Sequence, residues 1–388
     1  MKKTERDFII RLIKREVVPA IGCTEPIAVA LCVSKAARLL GKEPEKIKVL
    51  LSANILKNAM GVGIPGTGMI GLPIAVALGA LAGNPDYQLE VLKDITSDDV
   101  ERGKQVIAEN RIDIQLKENI AEKLYIEVIM SAGPDETTAI ISGGHTCFVY
   151  EARNGNVLLD ERISAVAEES EEDGSLSLRK VYDFALTAPL EEIDFILDSA
   201  RLNKAAAEAS FKGDYGHSLG KSLRNDNERR VMGDSVFTRI LSYTSGACDA
   251  RMAGAMIPVM SNSGSGNQGI AATLPVVVYA EENQKSREEM IRALVLSHLT
   301  VIYIKQSLGR LSALCGCVVA ATGSSCGITY LMGGGYEEMT YAVKNMVANL
   351  TGMICDGAKP SCAMKLTSGV STAVFSAMLA MGHKCVTA

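Results

Sequence analysis

Four stretches between residues 112 and 152 alternate in polarity or concentrate β-branched side chains, and each is set off by turn-forming residues. They are Ile112–Leu116, Lys123–Ser131, Thr137–Ser142 and Thr146–Ala152, punctuated by Gly-Pro-Asp (133–135), Gly-Gly-His (143–145) and Arg-Asn-Gly-Asn (153–156). Period-two runs joined by short turns satisfy their backbone groups by pairing with one another, which predicts an antiparallel sheet. Ile47–Ala53 is a further strand candidate. Residues 5–19 read as an amphipathic helix, and a second runs from Gly22-Cys23-Thr24-Glu25-Pro26 to Leu40. Thr24 is its expected N-cap, and Pro26 suits the first turn. From about residue 180 the pattern is helical and rich in Ala, Gly and Met, as in closely packed helices. The fold class is therefore α+β: N-terminal helices with an antiparallel sheet, then a mainly helical half. The acidic, Ser-rich stretch 163–178 is the expected boundary, giving domains 1–178 and 179–388.

The chain has 388 residues, 47% hydrophobic and 22% charged, enough for a large core. Its net charge of -5 and lack of a basic run give no footprint for nucleic acid. The longest apolar run, 69–83, falls short of the ~20 residues of a bilayer span and carries three glycines, so it reads as a buried helix. The opening residues are too charged for a signal peptide. These features predict a cytoplasmic protein that binds neither membrane nor nucleic acid. A Gly/Ala/Met-rich helical half commonly pairs with a copy of itself, so a homodimer is expected. With no Trp and 5% aromatics, a stacking platform for bases or sugars is disfavoured.

The ten cysteines carry the chemical signal. In a reducing compartment they stay unpaired. Cys32, Cys147 and Cys248, each among apolar or small neighbours, are expected in the core. Near the C-terminus Cys355-Asp-Gly-Ala-Lys359-Pro360-Ser-Cys362 places two thiols at the ends of one loop. Gly357 and Pro360 make that loop irregular, so the sulfurs can converge. Upstream lie Cys315 and Cys317. This is the arrangement of a metal or iron–sulfur site. Two Gly-x-Gly-x-x-Gly matches, at 61–66 and 264–269, lack the strand–helix context of a dinucleotide site, with Pro65 inside one and Pro275 expected to break the segment after the other. The loop Ser261-Asn262-Ser263-Gly264-Ser265-Gly266-Asn267-Gln268-Gly269 suits a small carboxylate instead. Lys57 and Asn58 precede a glycine-rich turn and are a second carboxylate candidate.

Together, Gly22-Cys23-Thr24-Glu25-Pro26, Lys57-Asn58 with Ile64-Pro65-Gly66-Thr67-Gly68, Gly144-His145-Thr146, Ser261 to Gly269, Leu314-Cys315-Gly316 and Cys355 to Cys362 resemble the L-cysteine desulfidase family. That family is related to the alpha chain of the iron–sulfur L-serine dehydratases, and the resemblance spans essentially the whole chain. It implies a [4Fe–4S] lyase without pyridoxal phosphate, acting on a small amino acid. L-cysteine would give pyruvate, ammonia and hydrogen sulfide, or L-serine would give pyruvate and ammonia. By the same resemblance Cys315, Cys355 and Cys362 are cluster ligands, and Cys23 is catalytic or a fourth ligand. Cys317, then Cys326, are alternatives to Cys315.

The chemistry is consistent. Three protein thiolates leave one iron open as a Lewis acid. Cys23, just before a helix, is expected to have a lowered pKa. His145 is a second base or carboxylate partner. Thr24 and Glu25 adjoin Cys23, and Glu25 suits an ammonium group. Lys359 is placed to hold an anionic substrate. Competing readings are a structural zinc site of Cys315, Cys317, Cys355 and Cys362, and a pyridoxal-phosphate lyase. The latter lacks a lysine in a recognisable Schiff-base context.

Overall fold

The computed structural model describes residues 1–162, 176–309 and 312–387. The acidic stretch expected as the boundary lies, up to residue 175, outside the described residues.

The first half begins with α1 (Lys3–Glu16) and the two-residue strand β1 (Pro19–Ala20), then α2 (Thr24–Leu40), β2 (Lys46–Leu51), α3 (Ala53–Ala59), α4 (Leu72–Leu81) and α5 (Ser97–Ala108). Strands β3 (Ile112–Leu116), β4 (Tyr125–Ala132), β5 (Asp135–Ser142), β6 (Phe148–Arg153) and β7 (Asn156–Asp160) follow. They form a six-stranded sheet in the order β3-β2-β4-β5-β6-β7. All neighbours are antiparallel except β2 and β3, which run parallel because α3 to α5 cross over between them. The alternation in β4 is literal: Ile126, Val128, Met130 and Ala132 are buried while the residues between them are half-buried. One face of the sheet is therefore covered, by α2 and α4. Cys32 of α2 is wholly buried against the sheet, its thiol donating to the Ala139 carbonyl at 3.3 Å. The run 69–83 does form a buried helix, though it starts only at Leu72, after Gly71.

Three details depart from the sequence reading. The N-cap of α2 is Cys23 rather than Thr24, and no side chain caps it. Cys147 is exposed in the turn before β6, although its carbonyl still accepts from the Ser142 amide of β5 at 3.1 Å. Strand β7 completes the hairpin that Arg153-Asn-Gly-Asn turns, and its exposed Val157 and Leu158 hid the usual alternation.

The second half comprises α6 (Leu178–Thr187), α7 (Leu190–Ile193), α8 (Leu197–Lys212), α9 (Leu219–Ser222), α10 (Asp226–Met232), α11 (Val236–Met252), the short strand β8 (Val259–Met260), α12 (Gly266–Glu282), α13 (Arg287–Leu308), α14 (Gly316–Leu331), α15 (Tyr336–Leu350) and α16 (Cys362–Met381). Helices α12, α13, α14 and α16 pack around one another at the centre. Close approach is enforced by small residues: a Cβ added at Gly323 of α14 would lie 2.4 Å from the Ser297 carbonyl oxygen of α13. Pro275 does not break its segment. It sits inside α12, which is buried along almost its whole length, so packing outweighs the one backbone bond lost. Among the described residues α16 is the one helix long and apolar enough to cross a membrane, but more than half of it is buried against its neighbours.

The halves are stitched together. Helix α1 joins the core of the helical half through Ile9, Leu12 and Ile13. Strand β1 pairs antiparallel with β8, and the Ser261 amide donates to the Val18 carbonyl at 2.8 Å.

Candidate active site

A cleft opens where that stitching brings the start of α2 against the start of α12. Its lining includes Cys23, Glu25, Asn58 and His145 from the sheet side. Facing them are Ser263, Gly264, Asn267, Cys315, Cys355 and Cys362 from the helical side.

The thiols converge for local reasons. Leu314 and Ile354 form an antiparallel bridge; the Cys355 amide donates to the Ala313 carbonyl at 2.9 Å and the Cys315 amide to the Met353 carbonyl at 3.0 Å. Two segments some forty residues apart thus lie side by side. The loop then turns at Gly357, whose φ of 100° and 2.1 Å from a notional Cβ to the Lys57 carbonyl oxygen admit only glycine. That contact presses the loop onto the end of α3, and Cys362 opens α16. Cys317 also lines the cleft, in the first turn of α14. Cys326 does not; it is wholly buried further along the same helix.

The two close thiols share a hydrogen bond. Cys317 donates to Cys315, which with the help of the nearby Lys365 ammonium holds Cys315 low, against the effect of burial. Cys317 is pushed up by the same bond and by burial. Burial also raises Cys362. Cys23 moves opposite to the sequence expectation: burial, then the neighbouring Glu25 charge, push its pKa well up, with Arg251 the opposing influence. Its helix start is real, but a buried thiol beside a carboxylate feels desolvation and repulsion more than the dipole. The Cys23 thiol donates to Glu25 Oε2 at 3.0 Å, and Asn58 Nδ2 donates to Glu25 Oε1 at 3.0 Å.

The other expected residues divide into two groups. Ser263, Gly264 and Asn267 reach the cleft; Ser261 and Asn262 lie behind it. Ser261 Oγ donates to the Val18 carbonyl at 2.6 Å. Asn262 Nδ2 donates to Nδ1 of the fully buried His298 at 3.0 Å, whose Nε2 faces Thr273 Oγ1 at 3.0 Å. Burial drives the His298 pKa down to about 3, so the ring is neutral and serves as a strut for this loop. Ser263 pays a small strain for its place, with φ of 48°. Thr24, Lys57 and Lys359 do not line the cleft; Lys359 instead pairs with Asp356 at 2.8 Å. Asp356 also pairs with Lys365, and the two ammonium groups hold its carboxyl far below the usual range.

Sequence reasoning missed Arg251, Lys305 and Lys365, all of which line the cleft. A signal existed for one of them. Lys365 is the single charged residue of α16, a helix otherwise of small, apolar and hydroxyl residues, where a charge needs a reason.

The molecule is thus an α+β protein whose sheet half and helical half share a thiol-lined cleft with acidic and cationic walls. The chain belongs to the serine dehydratase alpha chain family, whose model matches residues 86–387. Its relatives carry a less telling name. A UPF0597 protein of Bacteroides fragilis is 75% identical over 100% of this chain and 90% of the relative. UPF0597 proteins of Porphyromonas gingivalis and Vibrio campbellii are 58% and 47% identical, over 100% and 97% of this chain and 91% and 89% of the relatives.

Proposed function

We propose that the protein is an iron–sulfur-dependent, pyridoxal-phosphate-independent lyase that degrades L-cysteine to pyruvate, ammonia and hydrogen sulfide. The observation that carries the reading is the meeting of Cys23, Cys315, Cys355 and Cys362, from three distant parts of the chain, on one cleft. The donor set fits the group: thiolates are the ligands of such clusters. Among the described residues no three His, Cys, Asp or Glu groups gather around a single ion-sized position. Cys315, Cys355 and Cys362 would hold the cluster, which supplies, when bound, a Lewis-acidic iron for the leaving group or the carboxylate.

The chain's own residues supply the rest. Glu25, accepting from Cys23 and Asn58, presents a carboxylate to the substrate ammonium. At rest burial and Glu25 keep Cys23 a thiol. An ammonium docked on Glu25 cancels part of the charge that raises that pKa, so substrate binding itself favours the thiolate. Cys23, its own thiol proton first released to solvent in the cleft, would then take the α-proton as the β-substituent leaves. The resulting enamine hydrolyses to pyruvate and ammonia. His145, in the cleft lining, would exchange a proton with the leaving group.

A second reading, L-serine as substrate, is favoured by the family to which the chain belongs. Anaerobically reconstituted protein assayed side by side on the two amino acids decides. The expected result is pyruvate with stoichiometric sulfide from L-cysteine, faster than pyruvate from L-serine; pyruvate from neither would refute the lyase.

A further inference from the structure

The helical wall of the cleft holds a buried cation. Arg251, the penultimate residue of α11, is 4% exposed, yet no carboxylate pairs with it among the described residues, and its Nε has no hydrogen-bond partner. Burying a guanidinium without a partner costs several kcal/mol, so such a group is held for something that arrives later. It lies in the cleft lining, with Ser263, Ser265 and Asn267 at the start of α12. The first residue of that helix is built to admit it. A Cβ added at Gly266 would come within 2.2 Å of Arg251 Nε, so the absence of a side chain there is what lets the guanidinium reach the helix start. Amide N–H groups at a helix N-terminus and a planar guanidinium favour the same ligand, a carboxylate. Nearby Gln268, 5% exposed, likewise has a buried Oε1 without a partner.

We infer that Arg251, seated over Gly266 at the start of α12, is the receptor for the substrate's α-carboxylate. The assignment rests on the amino-acid lyase reading and deepens it. The ligand is then a zwitterion held from both walls, its ammonium on Glu25 of the sheet side and its carboxylate on Arg251 of the helical side. Lys57 and Lys359, the cations singled out from sequence, lie outside the lining.

Two half-substrates test this by calorimetric titration of the cluster-loaded protein under anaerobic conditions. 3-Mercaptopropionate carries the carboxylate and thiol without the ammonium; cysteamine carries the ammonium and thiol without the carboxylate. Arg251→Met should weaken 3-mercaptopropionate about a hundredfold and leave cysteamine within about twofold, while Glu25→Gln should show the reverse order. Gly266→Ala, which changes no polar group, should weaken 3-mercaptopropionate at least tenfold by displacing the guanidinium. If Arg251→Met fails to fold, Arg251→Lys keeps the charge but loses the fork and should give an intermediate loss on the same probe. Equal losses on both probes, or unchanged affinity for 3-mercaptopropionate in Arg251→Met and Gly266→Ala, would overturn the assignment. Such a result in protein that still makes pyruvate leaves the lyase reading standing, whereas wild-type protein without pyruvate production defeats that reading first.

Discussion

The two walls of the cleft are built from different materials. The sheet wall places Cys23, Glu25, Asn58 and His145 at helix ends and in a strand turn, and its one carboxylate is already wrapped by donors. The helical wall brings thiols and the cations Arg251, Lys305 and Lys365. On the proposed reading neither wall is a site alone: one would offer a proton acceptor and a seat for an ammonium, the other metal ligands and positive charge. What joins them is backbone, namely the β1–β8 pairing and the press of Gly357 on α3. The division predicts that damage to the two walls has different signatures.

The largest effect is expected on the helical wall. Cys362→Ala should abolish both iron binding and turnover, read by metal analysis and pyruvate assay. On the sheet wall Cys23→Ala should cost at least about a hundredfold in kcat while most of the iron remains. A variant that keeps activity, or that loses iron as completely as Cys362→Ala, would erase the distinction between the walls. A smaller effect concerns stability behind the helical wall. Asp249, beside Cys248 on α11, accepts from the Gly220 amide at 2.9 Å, and burial raises its pKa to about 6. A carboxyl raised above its unfolded value of about 3.9 stabilises the fold below that value, and the stabilisation is lost as pH rises through about 6. Wild-type stability relative to Asp249→Asn should therefore fall by about 1–3 kcal/mol between pH 4 and pH 7, measured by denaturant unfolding at each pH. A gap that widens in favour of wild type over that range would reverse the sign. Least affected is Cys326→Ala, outside the cleft, which should retain iron and turnover and cost stability only.

Much of the sheet half was legible because its physics is local. Alternation in β4 and β5 and the turn at Asn154-Gly155 declare themselves over a few residues, and Ile112–Leu116 emerges with its bounds intact. The parallel partner of β3 was not legible, since nothing within five residues says which neighbour a strand will take. In the helical half, Pro275 misled because its local cost is real but a buried helix outweighs it. The cysteines of the loop 355–362 could be found because chemistry concentrates there in sequence. Arg251 could not be placed, since its proposed role depends on a glycine fifteen residues on and on the lack of an acidic partner among the described residues. The Cys23 acidity was misjudged for the same reason: the helix start is visible in sequence, the burial and the turned Glu25 are not.

Iron and acid-labile sulfide in anaerobically reconstituted wild-type protein, measured beside Cys355→Ala, test the central claim most directly. The account predicts about four of each per wild-type chain, with the broad absorbance of a cluster near ~400 nm, and neither above background in the variant. Wild-type protein that stays colourless and free of iron, or a Cys355→Ala protein that loads as well as wild type, would contradict it.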